Sequence, residues 1–456
     1  MTQVRDLIDR QKTHFRKGLT KDPEFRIMQL QLLSKVLRDN SDALLSALKI
    51  DINRSEYESY LSEIGLVTRE INFICKKLKN WSQPIKVKSD KLMITSHSYY
   101  THEPKGVVLV MAPWSYPVQL TLMPLVAALA AGNCVIIKPS EQTPSVADVI
   151  EQMIHDNFKP EYIRVLRGDR NVNLELLQAR FDHIFFSGSS YIGKKVMKAA
   201  AEHLTPITLE LGGKNPCIVD RTANLEVAAK RIVCGKFFSA GQTCTAPDYL
   251  LIDSSIKNEF VTMLVDETEK QYGSMVENGT FTRIISEKQM KRLETFLEDV
   301  HILYGGQTNS ASRIFVPTFI DEIPKNHPLH DQEIFGPILP VFEFSTVPEA
   351  IEFVLLKEKP LACYLFSSDE EIQSRIFDSI PFGGGCINDT TIQSFNYNLP
   401  FGGTGQSGIG KFHGKFGFEE FSNRKAVVKR GWKLDPGFRY PPYDKKKLSV
   451  LKRLMK

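Results

Sequence analysis

Two short strings carry residue types that can do covalent chemistry together. Phe237-Phe238-Ser239-Ala240-Gly241-Gln242-Thr243-Cys244 sets a thiol behind a turn of small residues, where a substrate can approach it. Thr208-Leu209-Glu210-Leu211-Gly212-Gly213-Lys214 sets a carboxylate at the end of an apolar strand, followed at once by two glycines. A thiol nucleophile and a carboxylate base are what an acyl group needs to pass through a thioester to water. The commoner fate of a free cysteine is a small buried core residue. Cys75, Cys134, Cys217, Cys234, Cys363 and Cys386, in or beside apolar or Gly-rich runs, keep that reading, whereas Cys244 has Gly, Gln and Thr for neighbours.

Three further strings bear on a second ligand. Phe185-Phe186-Ser187-Gly188-Ser189-Ser190-Tyr191-Ile192-Gly193 reads as a strand, a Gly turn and a helix start, whose free N–H groups favour a phosphate. An ordinary strand-to-helix turn is an equal reading of that string alone. Lys138-Pro139-Ser140-Glu141 follows an apolar run at the place where parallel sheets bind ligands, and its charges suit ribose hydroxyls as well as a solvated turn. Gly403-Thr404-Gly405-Gln406-Ser407-Gly408 matches the dinucleotide pattern literally, yet it follows Leu399-Pro400-Phe401 and precedes no helical stripe. Without a strand before it and a helix after it, it is rejected as a cofactor fingerprint.

The elements that must position these groups follow from periodicity. Short β-rich runs at 107–111, 135–137, 163–166, 184–186 and 207–211 alternate with helical stretches, one of them opened by Thr143-Pro144 as cap and first-turn proline. Such alternation implies βαβ units and a mainly parallel sheet. A second alternation, through 249–252, 315–319 and 362–366, predicts another α/β unit. Residues 23–49 read as helix, with Ser41 a cap for the following segment, and residues 85–88 with 93–95 read as a strand pair outside both units.

The 456 residues suggest about three folding units. The net charge of +5 gathers at the extreme C-terminus instead of forming a stripe, which argues against nucleic-acid binding. Met1-Thr2-Gln3-Val4-Arg5-Asp6 leads into no apolar stretch, so no secretory signal is expected. Seven cysteines without a C-x-x-C pair suit a reducing cytosol and predict no metal site. A cytoplasmic location is expected.

Taken together and in this order, the strings resemble the aldehyde dehydrogenase superfamily. The matching segments are Ala112-Pro113-Trp114-Ser115-Tyr116-Pro117, Lys138 to Glu141, Phe186 to Gly193, Leu209 to Lys214, Gly241 to Cys244, Gln332-Glu333-Ile334-Phe335-Gly336-Pro337 and Leu399-Pro400-Phe401-Gly402-Gly403. The short N-terminus and Lys411-Phe412-His413-Gly414-Lys415-Phe416 look like the class 3 and fatty-aldehyde branch. Within it, the stretch from Gly235 to Tyr249 is similar to bacterial enzymes of the diaponeurosporen-aldehyde dehydrogenase type.

The resemblance implies an α/β fold with a Rossmann-type cofactor domain, an α/β catalytic domain and a small β bridging and oligomerisation region. Combined with the alternation, it assigns 1–82 and 103–210 to the cofactor domain, 211–392 to the catalytic domain, 83–102 and 393–430 to the bridging region, and 431–456 to a basic tail. It implies that Cys244 is the nucleophile and Glu210 the base that activates water. Lys138 and Glu141 would hold the adenosine ribose, Gly188, Ser189 and Gly193 the pyrophosphate turn, and Glu333 the nicotinamide ribose beside Phe335. Pro113, Trp114 and Leu211 would line the cofactor's path. Ser115 stands where the family carries an oxyanion-hole Asn, a departure at the chemistry itself.

The expected activity is oxidation of an aldehyde, of a long-chain or otherwise hydrophobic kind, to a carboxylic acid. NAD is favoured because Glu141 would repel a 2′-phosphate, with NADP the alternative. One rival passes the thioester to coenzyme A, but such an enzyme needs no water-activating Glu210. A second rival is a non-catalytic binding protein derived from the enzyme, against which Cys244, Glu210 and Glu333 are all intact. The resemblance also implies a homodimer. Finally, residues 445–456 place Leu448, Leu451 and Met455 at helical spacing among six Lys or Arg, a pattern suited to an anionic membrane face, a packed helix or a disordered end.

Overall fold

The computed structural model describes residues 2–93, 95–433 and 435–455. The first alternation forms a six-stranded sheet in the order Gly408–Ile409, Ile207–Leu211, His183–Gly188, Val107–Met111, Cys134–Lys138, Ile163–Val165. All neighbours are parallel except the short edge strand Gly408–Ile409. The chain enters at the central strand Val107–Met111, steps outward to Cys134–Lys138 and Ile163–Val165, then crosses back to His183–Gly188 on the other side. This reversal opens a crevice at the carboxyl ends of the two central strands, the place where doubly wound sheets take their ligands.

Val107–Met111 and Cys134–Lys138 are buried along their whole length, as continuous apolar runs must be when helices cover both faces. The helix Gln119–Ala131 between them is apolar on every side and buried at every residue but Gln119. It stops at Gly132, whose φ of 94° and close neighbours (a Cβ would lie 2.5 Å from the Thr20 carbonyl) leave room for no side chain. The helices Pro23–Asp39 and Leu66–Trp81 pack against it.

The second alternation builds a seven-stranded sheet in the order His301–Tyr304, Thr318–Asp321, Ile338–Phe344, Tyr249–Asp253, Pro216–Val219, Ala362–Phe366, Gly384–Ile387, parallel except at His301–Tyr304. A third, antiparallel sheet joins Ile85–Val87, Ser96–Pro104 and Ser422–Arg430. The α/β class with two mainly parallel sheets and a small β region is therefore the one the sequence predicts.

Four local expectations differ. The helix read over 23–49 breaks at Asn40, whose Nδ2 donates to the Val36 carbonyl at 2.9 Å, into Pro23–Asp39 and Ser41–Ile52. Thr143 makes no side-chain cap bond to its helix, which Pro144 alone opens. The strand Ile85–Val87 pairs with Ser96–Pro104, not with 93–95; Lys91–Met93 is a single tight turn, and Ile94 lies outside the described residues. The stretch 315–319 is interrupted, giving Ile314–Phe315 and Thr318–Asp321.

Candidate active site

Two cavities meet at Cys244 and Glu210. One, of about 730 Å³, has apolar walls that include Leu61, Leu66, Leu120, Phe238, Ile392 and Phe401, with Lys230, Arg231, Glu267 and Lys270 also lining it. The other, of about 260 Å³, is lined by Pro113, Trp114, Ser115, Gly188, Ser189, Leu211, Gly212, Arg292, Glu333 and Phe335. Cys244, Glu210 and Leu120 line both. Residues far apart in the chain are thus gathered by the carboxyl ends of three neighbouring strands and by loops of the second sheet.

The nucleophile's loop is fixed from several directions. Asn215 Nδ2 donates to the carbonyls of Cys244 at 2.8 Å and Ala246 at 3.0 Å, while its Oδ1 accepts from the Ala362 N–H at 2.8 Å. Tyr364 donates to the Thr245 carbonyl at 2.6 Å, and the Tyr116 and Thr243 hydroxyls share a hydrogen bond of 2.5 Å. The Cys244 thiol is pushed well above its ordinary range by burial and by the carboxylates of Glu210 and Glu333, against which the N–H groups of Cys244 and Thr245 favour the thiolate. At rest the sulfur therefore keeps its proton.

Glu210 is the penultimate residue of the strand Ile207–Leu211, which is paired on both sides: Ser187 lies opposite it in the parallel neighbour and Gly408 in the antiparallel edge. The carboxyl group is buried, and burial pushes it up to about 8 against the opposing influence of the Ser187 hydroxyl. A carboxylate of that basicity can take a proton near neutral pH, where an ordinary one cannot. The Gly-rich string rejected as a cofactor fingerprint has a different place. Gly405–Ser407 is one tight turn that feeds Gly408–Ile409 into the sheet edge behind Glu210.

Glu333 accepts from the Gly213 N–H at 3.1 Å and lies so close over Gly212 that a Cβ there would stand 2.0 Å from its Oε2. Burial, then Asp248, pushes it up to about 8. Phe335 meets Trp114 edge-on at 5.3 Å between ring centres. Ser189 caps the helix Ser190–Ala201, accepting from Ile192 N–H at 3.4 Å, so that the helix N-terminus opens on the cleft.

Not every expected residue reaches this cleft. Gly193 is buried under Leu211, where a Cβ would stand 2.7 Å from Cδ2, so it serves helix-to-strand packing and not the cleft wall. Lys138 is buried and donates to the Pro139 carbonyl at 2.8 Å and to Glu141 at 3.2 Å. Glu141 lines a separate cavity of about 360 Å³ with Ser140, Glu151 and Arg167, one strand further along the same sheet edge.

Residues that sequence reasoning missed surround the site. Lys214 donates to Asp248 at 2.5 Å, and Asp248 accepts from the Ile334 N–H at 2.9 Å, which ties the Glu333 loop to the strand end. Arg292 donates to the Glu333 carbonyl at 3.0 Å. Lys214 and Asp248 lie 34 positions apart, and nothing in the sequence pairs their charges.

The donor set suits a dinucleotide: a helix N-terminus for a diphosphate, an exposed and a buried carboxylate for two riboses, and aromatic edges for a flat ring. The aldehyde dehydrogenase family model matches residues 1–427. The chain belongs to the aldehyde dehydrogenase family. It is thus an oxidoreductase acting on aldehydes. The 4,4′-diaponeurosporen-aldehyde dehydrogenase of Staphylococcus aureus is 41% identical over 448 residues, covering 98% of this chain and 97% of that one. The structure of Staphylococcus aureus AldH in a substrate-bound state superposes with a TM-score of 0.97 at 40% identity, covering 100% of both chains. Betaine aldehyde dehydrogenase from Staphylococcus aureus in complex with NAD+ gives a TM-score of 0.83 at 27% identity, covering 93% of this chain and 86% of that one. The family resemblance and its α/β architecture, expected from the strings, hold.

Proposed function

We propose that this aldehyde dehydrogenase uses NAD to oxidise a hydrophobic aldehyde to the carboxylic acid through a thioester on Cys244. The observation that carries the reading is that Cys244 and Glu210 stand where an apolar tunnel meets a cleft built for a dinucleotide. Substrate enters by the tunnel, whose walls reward apolar chains over small polar aldehydes. Lys138 and Glu141 hold the adenosine ribose, Ser189 and its helix the diphosphate, and Glu333 with Phe335 the nicotinamide end. The Glu141 carboxylate disfavours a 2′-phosphate, which supports NAD over NADP.

The thiol passes its proton to a water molecule in the cleft, and from there to solvent, as Sγ bonds to the carbonyl carbon and the C=O π pair moves to oxygen. The N–H groups at Cys244 and the Ser115 wall face the charge that develops there. A nicotinamide held beside Glu333 and Phe335 would supply the acceptor for the hydride that this carbon gives up as its C=O bond re-forms. An acyl group then remains on Sγ. Glu210 removes a proton from water as the oxygen bonds to the acyl carbon and the C–Sγ bond breaks, which frees the acid and the thiolate. A buried, raised base beside the thioester has no work in an enzyme that hands its acyl group to coenzyme A, and this supports hydrolysis over acylation.

The same reading extends to a cytoplasmic homodimer joined through the three-stranded sheet, whose strand Ser422–Arg430 runs nine residues along an open edge. It extends also to peripheral contact of the basic tail with an anionic membrane face. For the chemistry, Cys244→Ala should abolish NADH formation from a panel of aldehydes of increasing chain length. Glu210→Gln should slow turnover and accumulate an acyl adduct on Cys244, read by peptide mass spectrometry. An adduct on another cysteine, or full turnover in Cys244→Ala, refutes the assignment. Stimulation of NADH formation by coenzyme A would favour the acylating rival.

A further inference from the structure

The turn that delivers Cys244 is strained. Ser239, Ala240 and Gly241 stand one after another in the left-handed region, with φ of 54°, 54° and 68°. Only glycine enters that region freely, and two of the three carry a Cβ. Strain of this kind persists only where the surroundings over-determine it, and it gathers at functional sites.

What holds the turn is a buried ion pair between Arg54, in the loop after the helix Ser41–Ile52, and Glu63. Arg54 and Glu63 have side chains 1% and 0% exposed and meet at 2.6 Å. Arg54 Nη2 donates to the Ser239 hydroxyl at 2.5 Å and to the Ser115 carbonyl at 2.6 Å. Glu58 accepts from the Ser239 N–H at 3.2 Å. The second oxygen of Glu63 accepts from the N–H groups of Val118 at 2.9 Å and Gln119 at 2.8 Å. The guanidinium also lies 4.7 Å from the ring centre of Tyr116, whose hydroxyl bonds Thr243 beside the nucleophile. One guanidinium thus grips both walls of the reacting centre, the segment of Ser115 and the turn before Cys244.

Two buried apolar side chains would serve stability as well as this pair does, so stability alone does not account for it. Resting on the reading of Cys244 as nucleophile, we propose that Arg54, braced by Glu63, is a positioning residue that holds the left-handed turn and so fixes the spacing between Cys244 and Ser115. Glu63 takes its inward direction from the wide π-type turn Tyr60–Gly65, whose Leu61 and Ser62 line the apolar tunnel. The brace and the tunnel wall come from one irregularity.

The test uses Arg54→Lys, which keeps the charge and loses the fork. Three quantities are measured: the rate of Cys244 alkylation by iodoacetamide in the protein without cofactor, kcat against KM for NAD, and the melting temperature. A displaced nucleophile should lower alkylation and kcat by about tenfold or more, with KM for NAD nearly unchanged, because small misplacements near the reacting atoms carry that cost. Adding Ser239→Gly, which adopts the left-handed conformation without a brace, should restore most of the alkylation rate. Should Arg54→Lys fail to fold, Arg54→Met with Glu63→Met removes both charges together and takes its place with the same readouts. A folded variant with undiminished alkylation and kcat, or a loss that Ser239→Gly does not repair, overturns the positioning role. Failure of Cys244 to be the alkylated, essential thiol in the unaltered enzyme would instead overturn the proposed function.

Discussion

At the residue scale the open chemical question is Ser115. Its carbonyl is pinned by Arg54, so the backbone cannot swing forward to lengthen the reach of the side chain. A serine hydroxyl ends about one bond short of an asparagine amide nitrogen, counted along the side chain. Oxyanion donors act within roughly 2.7–3.1 Å, and loss of one costs ~10²–10³ in kcat. Ser115→Asn should therefore raise the rate of hydride transfer by at least about tenfold, a barrier change near 1.4 kcal/mol. The measurement is the pre-steady-state NADH burst, on a variant whose melting temperature is unchanged. A folded Ser115→Asn enzyme with an unaltered or slower burst would show that serine is a working replacement. The residue scale also marks where sequence reading ended. Cys244, Glu210 and Glu333 were legible because each sits in a short string with its own turn. Arg54 was not, because it meets Ser115 and Ser239 61 and 185 positions away, and within Asn53-Arg54-Ser55-Glu56 it reads as solvated surface.

At the scale of elements, the strand Ile207–Leu211 does its work at a cost to the fold. Both neighbours pair with its backbone and bury Glu210, and the Ser187 hydroxyl offsets that burial only in part. A carboxyl group raised from 4.5 to about 8 favours the folded state most below its unfolded pKa. That contribution fades as pH climbs from about 4.5 to about 8, where the folded state must ionise a buried group. Glu210→Gln has no proton to lose. Its advantage over the unaltered enzyme should be about 1 kcal/mol at pH 5 and about 3–5 kcal/mol at pH 9, from roughly 1.4 kcal/mol per pH unit. Denaturant titrations of both proteins at the two pH values decide it, and a gap that does not widen with pH would refute the buried-charge account. Both parallel sheets were visible in the sequence because fully buried strands read as apolar runs between turn residues. Ser96–Pro104 was not, since Ser-His-Ser-Tyr-Tyr-Thr-His shows neither an apolar run nor a clean alternation. The glycines of 403–408 were legible as a literal dinucleotide pattern without the strand and helix it needs, but their place at the sheet edge depends on Ile207–Leu211, nearly 200 residues earlier.

At the scale of the whole molecule, the C-terminal helix stands exposed along its length. The helix Lys445–Leu454 buries none of its residues, and Leu448, Val450 and Met455 are 49%, 44% and 68% exposed. Lys447 folds back to the carbonyls of Tyr440 at 2.8 Å and Pro442 at 2.7 Å, leaving Lys445, Lys446, Lys452 and Arg453 to solvent beside the apolar side chains. Trp432 and Tyr443, at 101% and 77%, add aromatic rings of the kind that settle at a lipid interface. Among the described residues no helix is long and apolar enough to cross a membrane, so contact here means lying on the surface. A basic segment beside exposed apolar groups is complementary to anionic lipid headgroups, and such binding weakens with salt. The full chain should co-sediment with vesicles containing phosphatidylglycerol, much less with phosphatidylcholine alone, and less again as ionic strength rises. A chain ending at Asp444 should lose that binding while light scattering finds the proposed dimer in both chains, because the open edge of Ser422–Arg430 lies upstream of the cut. If truncation instead dissolves the dimer and leaves vesicle binding unaltered, the tail docks on a second copy of the chain and the membrane assignment is wrong.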